Sequence, residues 1–382
     1  MGHAKNSLRP SFRRVPMAKP YHSLEIEDSV MSVIRSGRLI QGQKVMDFEN
    51  ALAEYIGCKH VIAVSSGTSA LHLAFLALGV KPGDEVITTP FSFVSSATAI
   101  LYCGAKPVFV DIDPKTFNID PALIEQSITP RTVGIEPVHL YGQPADMDAI
   151  EAIAEKHNLF IVEDAAQAIG AEYKARKIGT IGDIICFSTY TTKNLHTMEG
   201  GFLTTSDDDI AMRLRRLRNI GQESKYNHTL IGYNYRMTEV AASVGIAQVQ
   251  LIDEFSRRRQ ANAAYITREL SMLEKEGITL PYISPDSKHV FHQYTIMIDS
   301  DMTGFTRDTL SDSLNSFGVE TGMHYPAPIY TQPCFEGCFD SFGSLCPVTE
   351  KASRTVLSLP VHPCLTEKDL EHIVQAFQAS LR

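Results

Sequence analysis

NLFIVEDAAQA, residues 158–168, contains a short run of apolar residues that stops at two carboxylates, Glu163 and Asp164. A short run that is apolar at every position is typical of a strand covered on both faces, as in a parallel sheet. Six other runs have the same character: HVIAVS (60–65), DEVITTP (84–90), KPVFVDI (106–112), TVGIEPVHL (132–140), DIICFS (183–188) and GFLTT (201–205). Together they predict one seven-stranded sheet that is mostly parallel.

Segments with helical spacing separate these runs. TSALHLAFLALG (68–79) and DMDAIEAIAEKHN (146–158) carry apolar residues three and four positions apart and end in glycine or asparagine. Strands that alternate with helices predict an α/β domain whose sheet is covered on both sides.

The pattern changes after Asp207. Residues 207–221 and 237–270 are predicted to be helices, the second one very long. Beyond it, strand-like QYTIMID (293–299) and LSLPVH (357–362) lie among helical stretches, which predicts a smaller α/β domain at the C-terminus.

We therefore divide the chain into a large domain, residues 20–255, and a small C-terminal domain, residues 256–382, preceded by an arm, residues 1–19. The arm is basic but no apolar stretch follows it, so it is not a secretory signal. We interpret it as a flexible arm or as a strap across a partner.

Bulk composition narrows the class of protein. The chain has 382 residues and a formal net charge of −9, which gives no reason to expect nucleic-acid binding. The arginines between Arg213 and Arg218 are interpreted as a solvated or subunit-contacting helix face. No run approaches the roughly 20 apolar residues of a membrane span.

The seven cysteines at irregular spacing favour a reduced, cytoplasmic protein over a disulfide framework. Cys334, Cys338 and Cys346 form the one cluster. Their spacing does not suit a metal site, so we predict no metal and interpret them as small buried thiols in a loop.

Ligands of such sheets bind beyond the carboxyl ends of the strands, so chemistry is sought where each strand ends. Lys193 follows the strand DIICFS in ICFSTYTTKNLHTMEGG (185–201). Partial desolvation there lowers the pKa of a lysine amine and frees it for imine chemistry, although a lone loop lysine is usually solvated. Asp164 is suited to hold the pyridinium proton of pyridoxal phosphate (PLP), and Gln167 lies one turn further on. The alternative for Asp164 is helix N-capping.

Two further strand ends complete this pattern. Gly67 and Thr68 follow a strand and open a predicted helix, whose free N–H groups and dipole favour a phosphate. Ser188 is expected to add a hydroxyl to the same phosphate. Phe93, in TTPFSFVSS, is expected to stack on a planar ring, although an isolated Phe is more often part of a core. The four elements together predict a PLP site.

The order of motifs SSGTSAL, TTPFSFVSSA, PVHLYGQPADMDAI, VEDAAQAIGA, FSTYTTKNLHTMEGG and GYNYRMTE closely resembles the DegT family of PLP-dependent sugar aminotransferases. The resemblance extends from about Pro20 to the C-terminus. It implies an aspartate-aminotransferase-like large domain of PLP fold type I and a homodimer with two shared active sites. It further implies that Lys193 is the Schiff-base lysine, that Asp164 is the pyridinium partner, and that Gln167 and Phe93 lie against the two faces of the ring. The phosphate would be held by Gly67, Thr68 and Ser188.

By the same resemblance, Asn234 in GYNYRM reaches the cofactor phosphate of the partner subunit, and Arg236 lies near that site. TGMHYP (321–326) nominates His324 and Tyr325 as substrate contacts, although an ordinary strand end before a proline turn would look alike. Tyr190 stands where many family members have the histidine of SFH. This departure leaves the placement of the substrate near Lys193 open.

The resemblance implies transfer of an amino group from an amino acid, expected to be glutamate, to a nucleotide-linked 3- or 4-keto-sugar. Family members that perform 3-dehydration replace the lysine with histidine, so Lys193 argues against that reaction. Two alternatives stay open: a PLP-dependent sugar dehydratase or epimerase, and a PLP-binding regulatory protein without turnover. Arg38, in the loop SGRLIQG (36–42), is a further candidate contact for the nucleotide.

Overall fold

The computed structural model describes residues 13–337 and 346–381. Its α-helices are, in chain order, α1 (Leu24–Ser36), α2 (Gln43–Ile56), α3 (Gly67–Ala77), α4 (Ser95–Tyr102), α5 (Met147–His157), α6 (Asp208–Arg218), α7 (Glu239–Val249), α8 (Ile252–Leu270), α9 (Ser300–Thr303), α10 (Arg307–Ser316), α11 (Pro347–Thr355) and α12 (Glu367–Ser380). Short 3-10 helices cover Pro121–Leu123, Glu125–Ser127, Leu140–Gly142, Ser271–Glu276, Ile329–Thr331 and Pro333–Phe335.

The strands are β1 (His60–Val64), β2 (Glu85–Thr88), β3 (Lys106–Phe109), β4 (Thr132–Glu136), β5 (Phe160–Asp164), β6 (Glu172–Tyr173), β7 (Arg176–Lys177), β8 (Ile184–Ser188), β9 (Gly201–Thr205), β10 (Gln222–Ser224), β11 (Asn227–His228), β12 (Ile278–Thr279), β13 (Ser287–Lys288), β14 (Tyr294–Ile298) and β15 (Val356–Leu359).

All seven predicted strands pair in one sheet of order β1-β9-β8-β5-β4-β2-β3. The strand β9 is antiparallel to β1 and β8, and the remaining pairs are parallel. This confirms the predicted α/β architecture with its mostly parallel seven-stranded sheet.

Alternate residues of the central strands face two apolar layers, because successive side chains of a strand point to opposite faces. On one face, Ile135, Ile161 and Ile185 pack against α2, α5 and α7. On the other, Val162 and Ile184 pack against α3, α4 and α6. Since both faces are covered, the carboxyl ends of the strands are the open edge at which polar side chains meet.

A separate apolar cluster lies around the antiparallel sheet β12-β14-β15 and is covered by α8, α10 and α12. Val15 of the N-terminal arm belongs to this cluster, is fully buried and pairs with Val319. The described part of the arm therefore packs on its own chain. The exact bounds of the large and small domains stay a prediction.

The prediction of one long helix over 237–270 is wrong, because the segment forms α7 and α8 with a break at Gln250 and Leu251. Almost every residue of α7 is buried, whereas α8 has one buried face. A helix that is buried on all sides and a helix that is buried on one face pack against different neighbours. The break lets the axes of α7 and α8 take different directions. Asp253 and Glu254 then suit the positive N-terminal end of α8.

Two interpretations of side chains also need correction. Arg218 is not on a solvated face: its guanidinium is buried, pairs with Glu49 and donates to the Ala63 carbonyl at 2.7 Å, because the end of α6 lies against β1. Cys346 is buried as expected, but Cys334 is exposed, since it lies in a surface turn of the 3-10 helix Pro333–Phe335. Cys338 lies outside the described residues.

Within 13–337 and 346–381, no group of three or more His, Cys, Asp or Glu side chains is arranged to hold a metal ion. Over the same ranges, no helix combines the length and apolar character needed to cross a bilayer.

Candidate active site

Lys193 and Asp164 lie close enough for each charge to change the pKa of the other. Lys193 is in the loop between β8 and β9, and Asp164 ends β5. Burial lowers the pKa of the Lys193 amine to about 8, against the opposing effect of the Asp164 charge. The amine is therefore partly neutral near physiological pH, which is the form that attacks a carbonyl.

The carboxylate of Asp164 is fixed by two donors. The Ala166 N–H donates to Oδ1 at 3.1 Å, and the hydroxyl of Ser96, in the first turn of α4, donates to Oδ2 at 2.9 Å. Burial raises the pKa of Asp164, while these donors and the charge of Lys193 oppose the rise. A buried carboxylate held in this way is suited to keep a proton on a cationic ring nitrogen.

Asp164 does not cap a helix, so that alternative is wrong. Residues 165–170 form turns rather than a helix. The backbone of Asp164 remains in the sheet, where it pairs with Cys186 and Val138. Its side chain bonds to Ser96 of α4 and to the Ala166 N–H of the following turn, not to the start of a following helix.

Gln167 is held in one orientation by its neighbours. Its Oε1 accepts the N–H of Tyr141 at 2.7 Å, and its Nε2 donates to the hydroxyl of Tyr325 at 3.1 Å. These bonds bring the turn after β5 against the segment that contains His324 and Tyr325. Tyr141 and its contact were not foreseen from the sequence, since the residue looked like an ordinary member of the PVHLYG motif.

An aromatic wall stands beside these polar groups. The ring centroids of Phe93 and Tyr325 are 6.4 Å apart, and those of Phe91 and Tyr325 are 6.3 Å apart. Phe91 is fully buried, whereas Phe93 is 57% exposed. Phe93 is therefore not a core residue, and its open face is available to a planar ring.

The start of α3 forms an anion cradle. Ser66 caps this helix by accepting the N–H of Ser69. The N–H groups of Gly67 and Thr68 have no acceptor within the helix, as helix geometry dictates. A methyl group at Gly67 would lie 2.8 Å from the Cβ of Ser188, so only glycine lets Ser188 lie directly against this helix start. The Thr68 hydroxyl is 2.7 Å from that of Ser95.

These features fit pyridoxal phosphate. The cradle around Gly67 suits its phosphate, the exposed face of Phe93 suits its ring, and Asp164 suits the ring nitrogen. Lys193 suits its aldehyde, because burial leaves part of its amine uncharged.

His324 is also next to this site. Burial lowers the pKa of its imidazole to about 4, and the Lys193 charge adds to this effect, so the ring is neutral at physiological pH. Its Nδ1 is 3.4 Å from the Ser358 hydroxyl.

The remaining predicted site residues lie at the rim or on a neighbouring edge. Tyr190 is 46% exposed, and its carbonyl accepts the N–H of Lys193 at 2.9 Å. Arg236 pairs through its backbone with Val64, and its guanidinium donates to Asn219 at 2.8 Å. Asn234 is exposed. The chain therefore does not bring Asn234 to its own cluster around Lys193.

Sequence reasoning gave no role to two residues that contact Asp164: Ser96 through its hydroxyl, and His139 through its backbone N–H, which donates to the Asp164 carbonyl at 3.0 Å. Ser96 had a detectable signal, because it lies in the TTPFSFVSSA motif one helical turn after Phe93. His139 accepts the Ala145 N–H at Nδ1 and lies 2.7 Å from Glu163 through Nε2, which places its proton on Nε2. No local pattern distinguished His139 from other strand-end residues.

Comparison with known proteins gives consistent results over nearly the full length. The model of the DegT/DnrJ/EryC1/StrS aminotransferase family matches residues 20–378. The chain is 42% identical to the "pleiotropic regulatory protein" of Geobacillus stearothermophilus, over 94% of this chain and 97% of the relative. It is 40% identical to the UDP-2-acetamido-2-deoxy-3-oxo-D-glucuronate aminotransferase of Pseudomonas aeruginosa, over 92% and 95%. Among solved structures, S. venezuelae DesV matches with a TM-score of 0.89 and 39% identity, over 94% of this chain and 95% of DesV.

Proposed function

Because the chain belongs to the DegT/DnrJ/EryC1/StrS aminotransferase family, we propose that it moves an amino group from an amino acid, glutamate, to a nucleotide-linked 3- or 4-keto-sugar. The observation that carries this proposal is that the buried Lys193 amine, with its pKa of about 8, lies near the buried carboxylate of Asp164. The similarity to a nucleotide-sugar aminotransferase supports the class of substrate.

The residues of the site divide the work of holding the cofactor. Gly67, Thr68 and Ser188 would hold the phosphate of pyridoxal phosphate, and Gln167 and Phe93 would lie against its ring. When bound, this cofactor supplies an electron sink for negative charge at the substrate carbon. Asp164 keeps a proton on the ring nitrogen, which that sink requires.

Lys193 is proposed to act twice. Its neutral amine holds the cofactor between turnovers, and the same amine, once released, takes the proton from the α-carbon of the donor amino acid and returns it later in the cycle. His324, Tyr325 and Tyr190 are proposed to contact the sugar. His324 does so as a neutral ring, because burial keeps the pKa of its imidazole near 4.

We further propose a cytoplasmic homodimer in which Asn234 reaches the phosphate held by the partner subunit and Arg236 lies near it. Asn234 is exposed on its own chain, which leaves its amide available to a partner. The described chain has free thiols at Cys58, Cys103, Cys186, Cys346 and Cys364, which suits a reducing compartment.

The test is to incubate the purified protein with glutamate and a panel of nucleotide-linked keto-sugars, measuring 2-oxoglutarate release and the mass of the product. The amino-sugar product is expected to form only when the donor is present. Lys193→Ala is expected to remove both turnover and the visible absorbance of the bound cofactor, whereas the exposed Lys275→Ala changes neither.

The alternatives give different results in the same assay. A dehydratase or epimerase would convert the sugar without glutamate and without gaining nitrogen. A regulatory protein would be coloured but would release no 2-oxoglutarate with any sugar. Normal turnover by Lys193→Ala would contradict the assignment of this residue.

A further inference from the structure

Glu136 lies on the same face of the sheet as Asp164. It ends β4, where it pairs with Thr88 of β2, and two residues later Val138 pairs with Asp164. Residues 136 and 138 of an extended chain point to the same face. This face is otherwise lined by apolar side chains, Val162 and Ile184 among them.

The carboxyl group of Glu136 has no polar partner. Its side chain is fully buried, and among the described residues neither of its oxygens has a hydrogen-bond partner and no cation pairs with it. The nearby Thr88 hydroxyl donates instead to the main-chain carbonyl of Glu136, at 3.1 Å.

Two other carboxylates at this edge of the sheet are supplied with donors. Asp164 accepts from Ala166 and Ser96, and Glu163, on the opposite face, bonds to His139 and to the Gly182 N–H. Hydrogen bonds and opposite charge stabilise the ionised form, and burial alone destabilises it. Of the two carboxyl groups on this face, Glu136 and Asp164, Glu136 therefore holds a proton more strongly.

The charged and titratable groups that face Glu136 all oppose its ionisation or are neutral. Burial raises the pKa of Glu136 well above its ordinary value, and the negative charge of Asp164 on β5 adds to this effect. The Thr88 hydroxyl on β2 lies near enough to oppose the rise, although its hydrogen bond goes to the main-chain carbonyl of Glu136 and not to the carboxyl group. On β8, burial raises the pKa of the Cys186 thiol well above its ordinary value, so this neighbour is uncharged.

We propose that Glu136 is a positioning residue for Asp164: it stays a neutral carboxylic acid while the site works, so that the negative charge on this face remains on Asp164. A second carboxylate here would drive a proton onto Asp164, because like charges this close do not both ionise at low cost. Asp164 without its charge would no longer keep a proton on the cofactor ring nitrogen. Only this last step rests on the proposed function.

The protonation of Glu136 is tested by infrared spectroscopy of the full-length holoenzyme at pH 7. The wild type is expected to show the carbonyl stretch of a protonated carboxylic acid, and Glu136→Gln is expected to lose it. Glu163→Gln is the matched control, since it removes a buried carboxylate that has partners, and it is expected to keep the band. A spectrum unchanged by Glu136→Gln would overturn the proposal.

A second measurement separates this role from simple packing. A carboxyl whose pKa is raised by folding contributes stability below its unfolded pKa, and this contribution is lost as the pH rises toward the folded pKa. Above about pH 4.3, the folding equilibrium constant of Glu136→Gln, divided by that of the wild type, is expected to rise by up to about tenfold per pH unit. A ratio that stays constant with pH would show a structural role only and would overturn the proposal.

The effect on Asp164 is read from the cofactor absorbance. Glu136→Gln, which is neutral at every pH, is expected to match the wild-type spectrum at pH 7, and a spectrum that differs there would overturn the proposal. Glu136→Leu provides a second neutral variant if the amide disturbs folding. None of these measurements uses a substrate, so failed amino transfer with a positive infrared result contradicts the proposed function alone.

Discussion

Burial increases the fraction of the Lys193 amine that is uncharged, because it lowers the pKa of this side chain. A solvated lysine, with a pKa near 10.4, has about one amine in 2,500 uncharged at pH 7. With the pKa of about 8 that burial gives Lys193, about one in ten is uncharged. This difference is available before any cofactor binds, since it comes from the surrounding protein.

The titration of Lys193 gives a direct prediction. In the cofactor-free protein, labelling of its amine by trace acetic anhydride is expected to rise about tenfold per pH unit and to level off near pH 8, as measured by mass spectrometry. Because the charge of Asp164 raises the pKa of Lys193, Asp164→Asn should move the plateau to lower pH. Labelling that still rises through pH 10 would contradict the assigned environment.

For single site residues, the sequence predicted the position along the fold better than the contacts of the side chain. Lys193 and Asp164 were expected at strand ends and lie there, beside one another. The helix-cap alternative for Asp164 is wrong because residues 165–170 form turns, and the core alternative for Phe93 is wrong because its side chain is exposed. Their catalytic and binding roles stay predictions.

The start of α2 shows how one element depends on another. Its N-cap residue is Gly42, which has no side chain to satisfy the first N–H groups. The carboxylate of Glu239, in the first turn of α7, takes this role and accepts from Gly42, Lys44 and Val45 at 2.9 to 3.0 Å. The two helices are therefore joined through three charge-assisted hydrogen bonds.

Removal of this carboxylate is expected to cost stability. Glu239→Ala leaves three N–H groups at the start of α2 unpaired, one of them buried and two partly buried, which should lower the free energy of unfolding by about 3 kcal/mol. The exposed Glu54→Ala on α2 is the matched control and should change it by less than about 0.5 kcal/mol. Urea titration followed by circular dichroism measures both. Equal effects of the two substitutions would exclude the capping role.

The break between α7 and α8 also depends on other elements of the fold. Neither proline nor glycine occupies positions 250 and 251, so helix propensity gave no stop signal. What separates the two helices is the environment on each side of the break, and that environment is formed by elements far away in the chain.

On the scale of the whole molecule, the segment between α6 and α7, residues 219–238, resembles a surface that contacts another subunit. Tyr226 and Ile231 are 84% and 91% exposed, and Asn234 follows them on the same segment. Exposed large apolar side chains near a polar group that lacks a role in its own chain favour a subunit interface. This supports the proposed exchange of Asn234 between subunits.

A mixed dimer tests that exchange. One subunit carries Lys193→Ala and the other carries Asn234→Ala, so only the second retains a working lysine. If Asn234 acts across the interface, this remaining site receives an intact Asn234 and should bind pyridoxal phosphate with wild-type affinity. If Asn234 acts within its own chain, the affinity should match that of the Asn234→Ala homodimer. Titration of the visible absorbance distinguishes the two results.

The sequence by itself determined the seven strands, the helices between them and the polar or aromatic residues at each strand end, because these follow from the local order of side chains. The tertiary structure alone decided that Ser96 serves Asp164, that Glu239 caps α2 and that Glu136 is buried without a partner beside Asp164. Each of these depends on desolvation or a hydrogen bond between segments far apart in the chain. No local pattern encodes such contacts, since they exist only when the sheet and its covering helices are assembled.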